Sequence, residues 1–168
     1  MDRLSEAAAS PYTRGYDQLW TLPFQWQSVE VVHASLHACL QAEHQELRDA
    51  INMAASELAE NLVKYGSAAM GRAAGTLSLH REPGAVSLCT ENGASRDDAD
   101  LVTSTITTAQ GAGAEAAYLR RLEELACVSR TPYSRLGLLR ILFEGGFDLS
   151  CRYEEPLLTI IAHRSLTQ

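Results

Sequence analysis

The chain predicts an α/β two-layer sandwich, a mixed and largely antiparallel sheet with helices on one face. Three observations carry that prediction. Hydrophobic periodicity runs in the order strand, helix, helix, hairpin, helical insert, helix, hairpin. Residues 75–81 with 86–90, and 147–153 with 157–163, alternate apolar and polar positions across short turns, so each pair is a hairpin with one apolar face. The longest helical pattern carries a single apolar stripe. Hairpins with one apolar face and helices with one apolar stripe bury each other as two layers.

Residues 1–15 combine the alanine run Ala7 to Ala9 with Pro11 and read as a flexible N-terminal arm, leaving 16–168 as one domain. The aromatic-rich stretch 18–26 contains Pro23, which predicts a short edge strand, where a missing N–H is tolerated. Ser28 is placed to cap a helix that ends near Glu43 and carries Val31, Val32, Ser35, Leu36, Cys39 and Leu40 on one side. A second helix runs from about Gln45 through Tyr65. Its buried stripe is Leu47, Ile51, Ala55, Leu58, Leu62 and Tyr65, and Gly66 suits the left-handed position after a helix. A small-residue loop over 67–74 follows.

In the first hairpin Leu77 and Leu79 share a face, Glu82-Pro83-Gly84 turns the chain, and Val86, Leu88 and Thr90 alternate on the return. Asn92-Gly93 reads as an unusual backbone turn that ends it. Asp97 or Asp98 then caps a helix with Leu101, Val102 and Ile106. After a Gly-Ala-Gly break at 111–113, residues 114–126 form a helix with Tyr118, Leu119, Leu122 and Leu125 toward the core. The polar stretch 129–135, with Pro132, reads as a mobile loop. Leu136-Gly137-Leu138-Leu139 opens the last helix, Gly145-Gly146 closes it, and the second hairpin turns at Glu154-Glu155-Pro156.

A chain of 168 residues buries about 70% of its unfolded surface, which is sufficient for one sizeable core. The net charge of -7, with 14 Lys and Arg scattered along the chain, argues against a nucleic-acid or anionic-membrane surface. Cys39, Cys89, Cys127 and Cys151 form no C-x-x-C pair and read as reduced thiols. With no apolar leader or spanning run, the expected location is cytoplasmic. Nothing specific signals a homodimer, and that state is left open.

The chemistry concentrates in Glu57-Leu58-Ala59-Glu60-Asn61-Leu62-Val63-Lys64-Tyr65-Gly66. Glu57, Asn61 and Lys64 recur at i, i+4 and i+7, on a helix face about 100° from the apolar stripe. Taken alone they are an ordinary solvated face with a Glu60–Lys64 pair. His33, His37 and His44 lie close to one helical side at a zinc-compatible spacing, but no further ligand completes a set, and they read as surface residues.

Glu57-x-x-x-Asn61-x-x-Lys64-Tyr65-Gly66 resembles the N box of the GHKL (histidine-kinase-like) ATPases, Glu91-Asn92-Gly93 the adenine-contacting G1 box, and Leu136-Gly137-Leu138 the end of the G2 box. Over about residues 16–165 the chain is most similar to the small serine/threonine protein kinases of bacterial partner switching, the anti-sigma-factor and SiaB-type kinases. The resemblance implies a Bergerat-type sandwich that binds ATP with Mg²⁺. It also implies transfer of the γ-phosphoryl group to Ser or Thr of a small STAS-like or sigma-factor-related regulatory partner.

It further implies Glu57 as catalytic base, Asn61 as metal ligand, and Lys64 as a phosphate contact. Glu91 would contact adenine and Gly93 would let the backbone approach the base. The helix start at Gly137 would receive phosphate oxygens. Glu91 stands where the family has Asp, Ser95 where it has a second glycine, and Tyr133-Ser134-Arg135 where glycines precede the last box. Arg135 either contacts phosphate or obstructs it. A degenerate member that binds a protein partner without turning over ATP is the alternative.

Overall fold

A computed structural model describes residues 16–66, 73–127 and 136–166. The sheet contains β1 (Gln18–Pro23), β2 (Ala74–Glu82), β3 (Ala85–Gly93), β4 (Asp148–Glu154) and β5 (Leu157–Ser165) in the order β1-β2-β3-β5-β4. Every neighbouring pair is antiparallel, so the sheet is not mixed. The cause is the second hairpin, whose return strand β5 lies beside β3 and leaves β4 on the outer edge. Pro23 is the last residue of edge strand β1, where its missing N–H leaves the ladder intact.

The helices are α1 (Gln27–Cys39), α2 (Gln45–Tyr65), α3 (Arg96–Ala112), α4 (Ala114–Cys127) and α5 (Leu136–Phe143). Strand alternation turns Leu77, Leu79, Val86, Leu88, Leu158, Ile160 and Ala162 into the core against Ile51, Leu58 and Leu62 of α2, and all of these side chains are buried. Ala54, Ala55 and Ala59 are buried beside them. Their small side chains let α2 lie close on the sheet. Each buried leucine or isoleucine here contributes about 1.5–3 kcal/mol.

Several local expectations change. Trp26, not Ser28, is the N-cap of α1, and Ser28 Oγ instead donates to the Pro23 carbonyl at 2.7 Å, closing the corner after β1. Val31 is 57% exposed, so the stripe of α1 narrows to Val32 and Leu36, with Leu40 just beyond. Gly66 ends α2 at φ -62 and ψ 128, not in the left-handed region. Its requirement is space: a Cβ there would lie 2.1 Å from Phe24 Cε1 and 2.4 Å from the Leu62 carbonyl oxygen. Asn92 and Gly93 are extended strand residues of β3, opposite Leu158 and Leu157, rather than a turn.

The cap of α3 is Ser95. Its Oγ accepts from Asp98 N at 3.2 Å and donates to Asp98 Oδ2 at 2.6 Å. Ser95→Ala is expected to cost about 1 kcal/mol, read as a lower denaturant midpoint at unchanged slope.

The helical insert α4 departs furthest from expectation. None of its residues is buried, and Leu119 and Leu122 are exposed. It packs outside α3 and α5, with the Tyr118 ring 5.5 Å from that of Phe143. The sheet face it was expected to cover is already filled by α2, α3 and α5. The arm at 1–15 and the loop at 129–135, including Arg135, lie outside the described residues.

Candidate functional site

The stripe that seats α2 on the sheet also decides what its polar edge can reach. Between α2, α3, the start of α5 and strands β3 and β5 lies a narrow cavity of about 40 Å³. Leu58, Leu62, Leu101, Val102, Leu138, Leu158 and Ile160 give it apolar walls. Asn61, Asn92, Asp98 and Thr105 supply its polar atoms. Apolar walls with a few polar atoms are the kind of lining that meets a flat, largely apolar ring with polar edge groups.

Asn61 faces this cavity from α2, and its amide makes no hydrogen bond among the described residues. Glu57, one turn earlier, is drawn to α5. Its Oε1 accepts from Arg140 Nη1 at 2.6 Å, and the side chain is 15% exposed. Burial pushes the Glu57 carboxyl above the usual carboxylate range. Arg140 opposes that shift, Glu60 adds to it, and Lys64 weakly opposes it. Gly137 lies directly beneath: a Cβ on it would stand 2.3 Å from Glu57 Oε2. The glycine therefore accommodates the Glu57 carboxylate as well as opening α5.

Arg140 is shared. Its Nε donates to Glu144 Oε2 at 3.1 Å, and Glu144 Oε1 accepts from the Tyr118 hydroxyl at 2.6 Å. The Tyr118 bond holds the Glu144 carboxyl below its ordinary value against the opposing effect of burial, and Arg140 adds to the lowering. The same bond raises the Tyr118 phenol.

Other expected site residues fall elsewhere. Thr90 and Asn92 line the cavity, so Glu91 between them projects from the opposite face of β3, as period-two alternation requires. There it neighbours Cys89, whose thiol burial and the Glu91 charge push up to about 11. The adenine contact expected of Glu91 does not reach the cavity, and Asn92 occupies the inward position.

The Asn92 Nδ2 donates to its own Gly93 carbonyl at 3.0 Å, and its amide oxygen accepts no hydrogen bond among the described residues. Gly93 is buried at the end of β3 and is not part of the cavity lining. Lys64 turns from the cavity to Glu60 Oε2, 2.7 Å away, with its ammonium 5.6 Å from the Trp26 ring centroid. Asp98 and Arg140 are the residues that motif reasoning missed. Asp98 read only as one of two candidate caps, and no local pattern marks Arg140.

No family model matches the chain. No curated protein matches it either. Among solved structures it is similar to a chain in the crystal structure of the SiaB–SiaC complex from Pseudomonas aeruginosa. The TM-score is 0.65 at 18% identity, covering 90% of this chain and 91% of that one. The likeness extends over nearly the whole sandwich.

Proposed function

We propose that this chain, a sandwich of the kind found in the SiaB–SiaC complex, is a regulatory protein kinase of the partner-switching type. It uses Mg·ATP to phosphorylate Ser or Thr of a small STAS-like protein. The observation that carries this reading is the placing of Glu57 and Asn61 one helical turn apart, Asn61 at the edge of an apolar cavity and Glu57 against the start of α5. The fold shared with a chain from a two-protein complex supports a regulatory protein partner.

The residues fit the nucleotide in part. The apolar walls suit the base, and the Asn92 amide oxygen, in place of Glu91, is available to its amino group. Asn61 offers the kind of neutral oxygen that Mg²⁺ accepts. Asn61 would hold the ion from the protein side, and Mg²⁺ that arrives with a nucleotide would draw its other oxygens from phosphate and water. Bound Mg·ATP supplies the transferable phosphoryl group.

Glu57 accepts the proton of the incoming hydroxyl. Its raised pKa brings it nearer the operating range of a general base than an ordinary carboxylate. N–H groups in the first turn of α5 would receive phosphate oxygens, and Arg135, the residue before Leu136 in the sequence, is the proposed cationic contact. Lys64 takes no part while Glu60 holds it.

Calorimetric titration with ATP and Mg²⁺ tests the reading. Asn61→Ala is expected to weaken binding roughly tenfold or more, the loss of one strong polar contact. Absence of heat from the unmodified protein at millimolar nucleotide would remove the kinase reading.

The orientation of Glu91 and the pairing of Lys64 favour a second reading, a protein-binding module that retains the sandwich without turnover. Labelled ATP and cell extract separate the two. Label transfer that disappears in Glu57→Ala requires an enzyme.

A further inference from the structure

We propose that Arg140 is a positioning residue for Glu57 and that the insert α4 acts on the base through it, along the relay Tyr118–Glu144–Arg140–Glu57. The inference rests on the reading of Glu57 as the base. A guanidinium is a rigid planar fork, so engaging one edge fixes where the other points. Here Nε is committed to Glu144 at 3.1 Å and Nη1 to Glu57 at 2.6 Å. Glu144 is itself held from the far side by the Tyr118 hydroxyl at 2.6 Å.

The two ends of the relay differ in how firmly they are anchored. Glu57 rises from α2, whose stripe is deep in the core, whereas α4 has no buried residue. An element held by surface contacts alone opens at low free-energy cost. Displacing α4 withdraws Tyr118, and Glu144 then turns its full acceptor capacity on Arg140, at the expense of Glu57. Seating α4 does the reverse. The insert thereby sets how strongly the base is tethered and where it points. The charged and titratable groups facing Glu57 are Arg140 on α5, with Glu144 just past the end of that helix behind it, Glu60 and Lys64 on α2, and Tyr118 on α4.

The test uses the full chain without nucleotide, following the Glu57 carboxyl carbon by ¹³C NMR against pH. Arg140→Gln should move its titration midpoint up, because an attractive charge is lost. Glu144→Gln should move it down, because Arg140 then serves Glu57 alone. Tyr118→Phe should move it up by less than Arg140→Gln. Opposite signs for Arg140→Gln and Glu144→Gln are not produced by general loosening of the fold.

A midpoint unmoved in Tyr118→Phe, or moved alike by Arg140→Gln and Glu144→Gln, overturns the relay. If Arg140→Gln fails to fold, the two milder variants decide it. In a second arm, label transfer from Mg·ATP should fall roughly tenfold in Tyr118→Phe with calorimetric affinity unchanged, less than the roughly 100-fold or more that losing the base itself costs. Unchanged turnover there also counts against the relay. Failure of the unmodified protein to bind Mg·ATP removes the kinase reading and leaves the carboxyl result to stand or fall separately.

Discussion

Gly137→Ala is expected to lower stability by about 1–3 kcal/mol and, with Glu57 as the base of the proposed kinase, to reduce phosphoryl transfer roughly 100-fold, the scale of losing a well-placed general base. Helix propensity predicts the opposite sign for stability, since alanine within a helix is favoured over glycine by about 1 kcal/mol. The clash decides the outcome. The new Cβ would lie 2.3 Å from Glu57 Oε2, 3.2 Å from its Cδ and 3.5 Å from its Cβ.

A carboxylate tip could ordinarily swing aside, but this one is tethered at 2.6 Å to Arg140 and is only 15% exposed. Either α5 shifts or the ion pair breaks, and both displace the Glu57 carboxylate. Denaturant unfolding and a label-transfer assay read the two effects. In a Glu57→Ala background the same glycine substitution should lose its stability penalty. A penalty of undiminished size there would place the collision elsewhere.

The largest stability effect is expected from Phe147→Ala, at about 3–5 kcal/mol. Phe147 is 2% exposed and is among the largest fully buried side chains. It stands at the corner between α5 and β4, with its N–H bonded to the Ile141 carbonyl at 3.2 Å. A Cβ on Gly145 would already come within 3.0 Å of its ring, which shows how closely that corner is filled. Truncation leaves a cavity that a helix end and a strand start cannot jointly close. Against a typical total of about 5–15 kcal/mol, the loss brings the domain near its unfolding threshold at moderate temperature. Calorimetric melting measures it, and a cost below about 1 kcal/mol would mean that the corner collapses around the deletion.

Much of the site was already encoded in local pattern, including one feature that motif matching obscured. Val86, Leu88 and Thr90 share a face of their strand by simple alternation, so position 91 turns away and position 92 turns in. Matching letters to a motif put the carboxylate of Glu91 in the cavity, whereas the strand's own period puts the amide of Asn92 there. The insert is the converse case. Tyr118, Leu119, Leu122 and Leu125 have the spacing of a buried stripe, yet the sheet face was already covered, and the helix packs on other helices instead.

The sequence by itself determined the ten elements' order, the two hairpins, the extent of α2 as Gln45–Tyr65 and the placing of Asn61 on its polar edge. These follow from burial, which imposes a period of two or about 3.6 and is therefore written along the chain. The tertiary structure alone decided which distant groups meet. The Glu60–Lys64 pair is local and readable from its spacing, but Lys64 lies near Trp26 and Glu57 reaches across 83 residues to Arg140 only in the fold. Long ionic side chains have several partners within reach, and packing selects among them. Gly137 is explained in the same way, by a carboxylate distant in sequence that folding brings against its Cα.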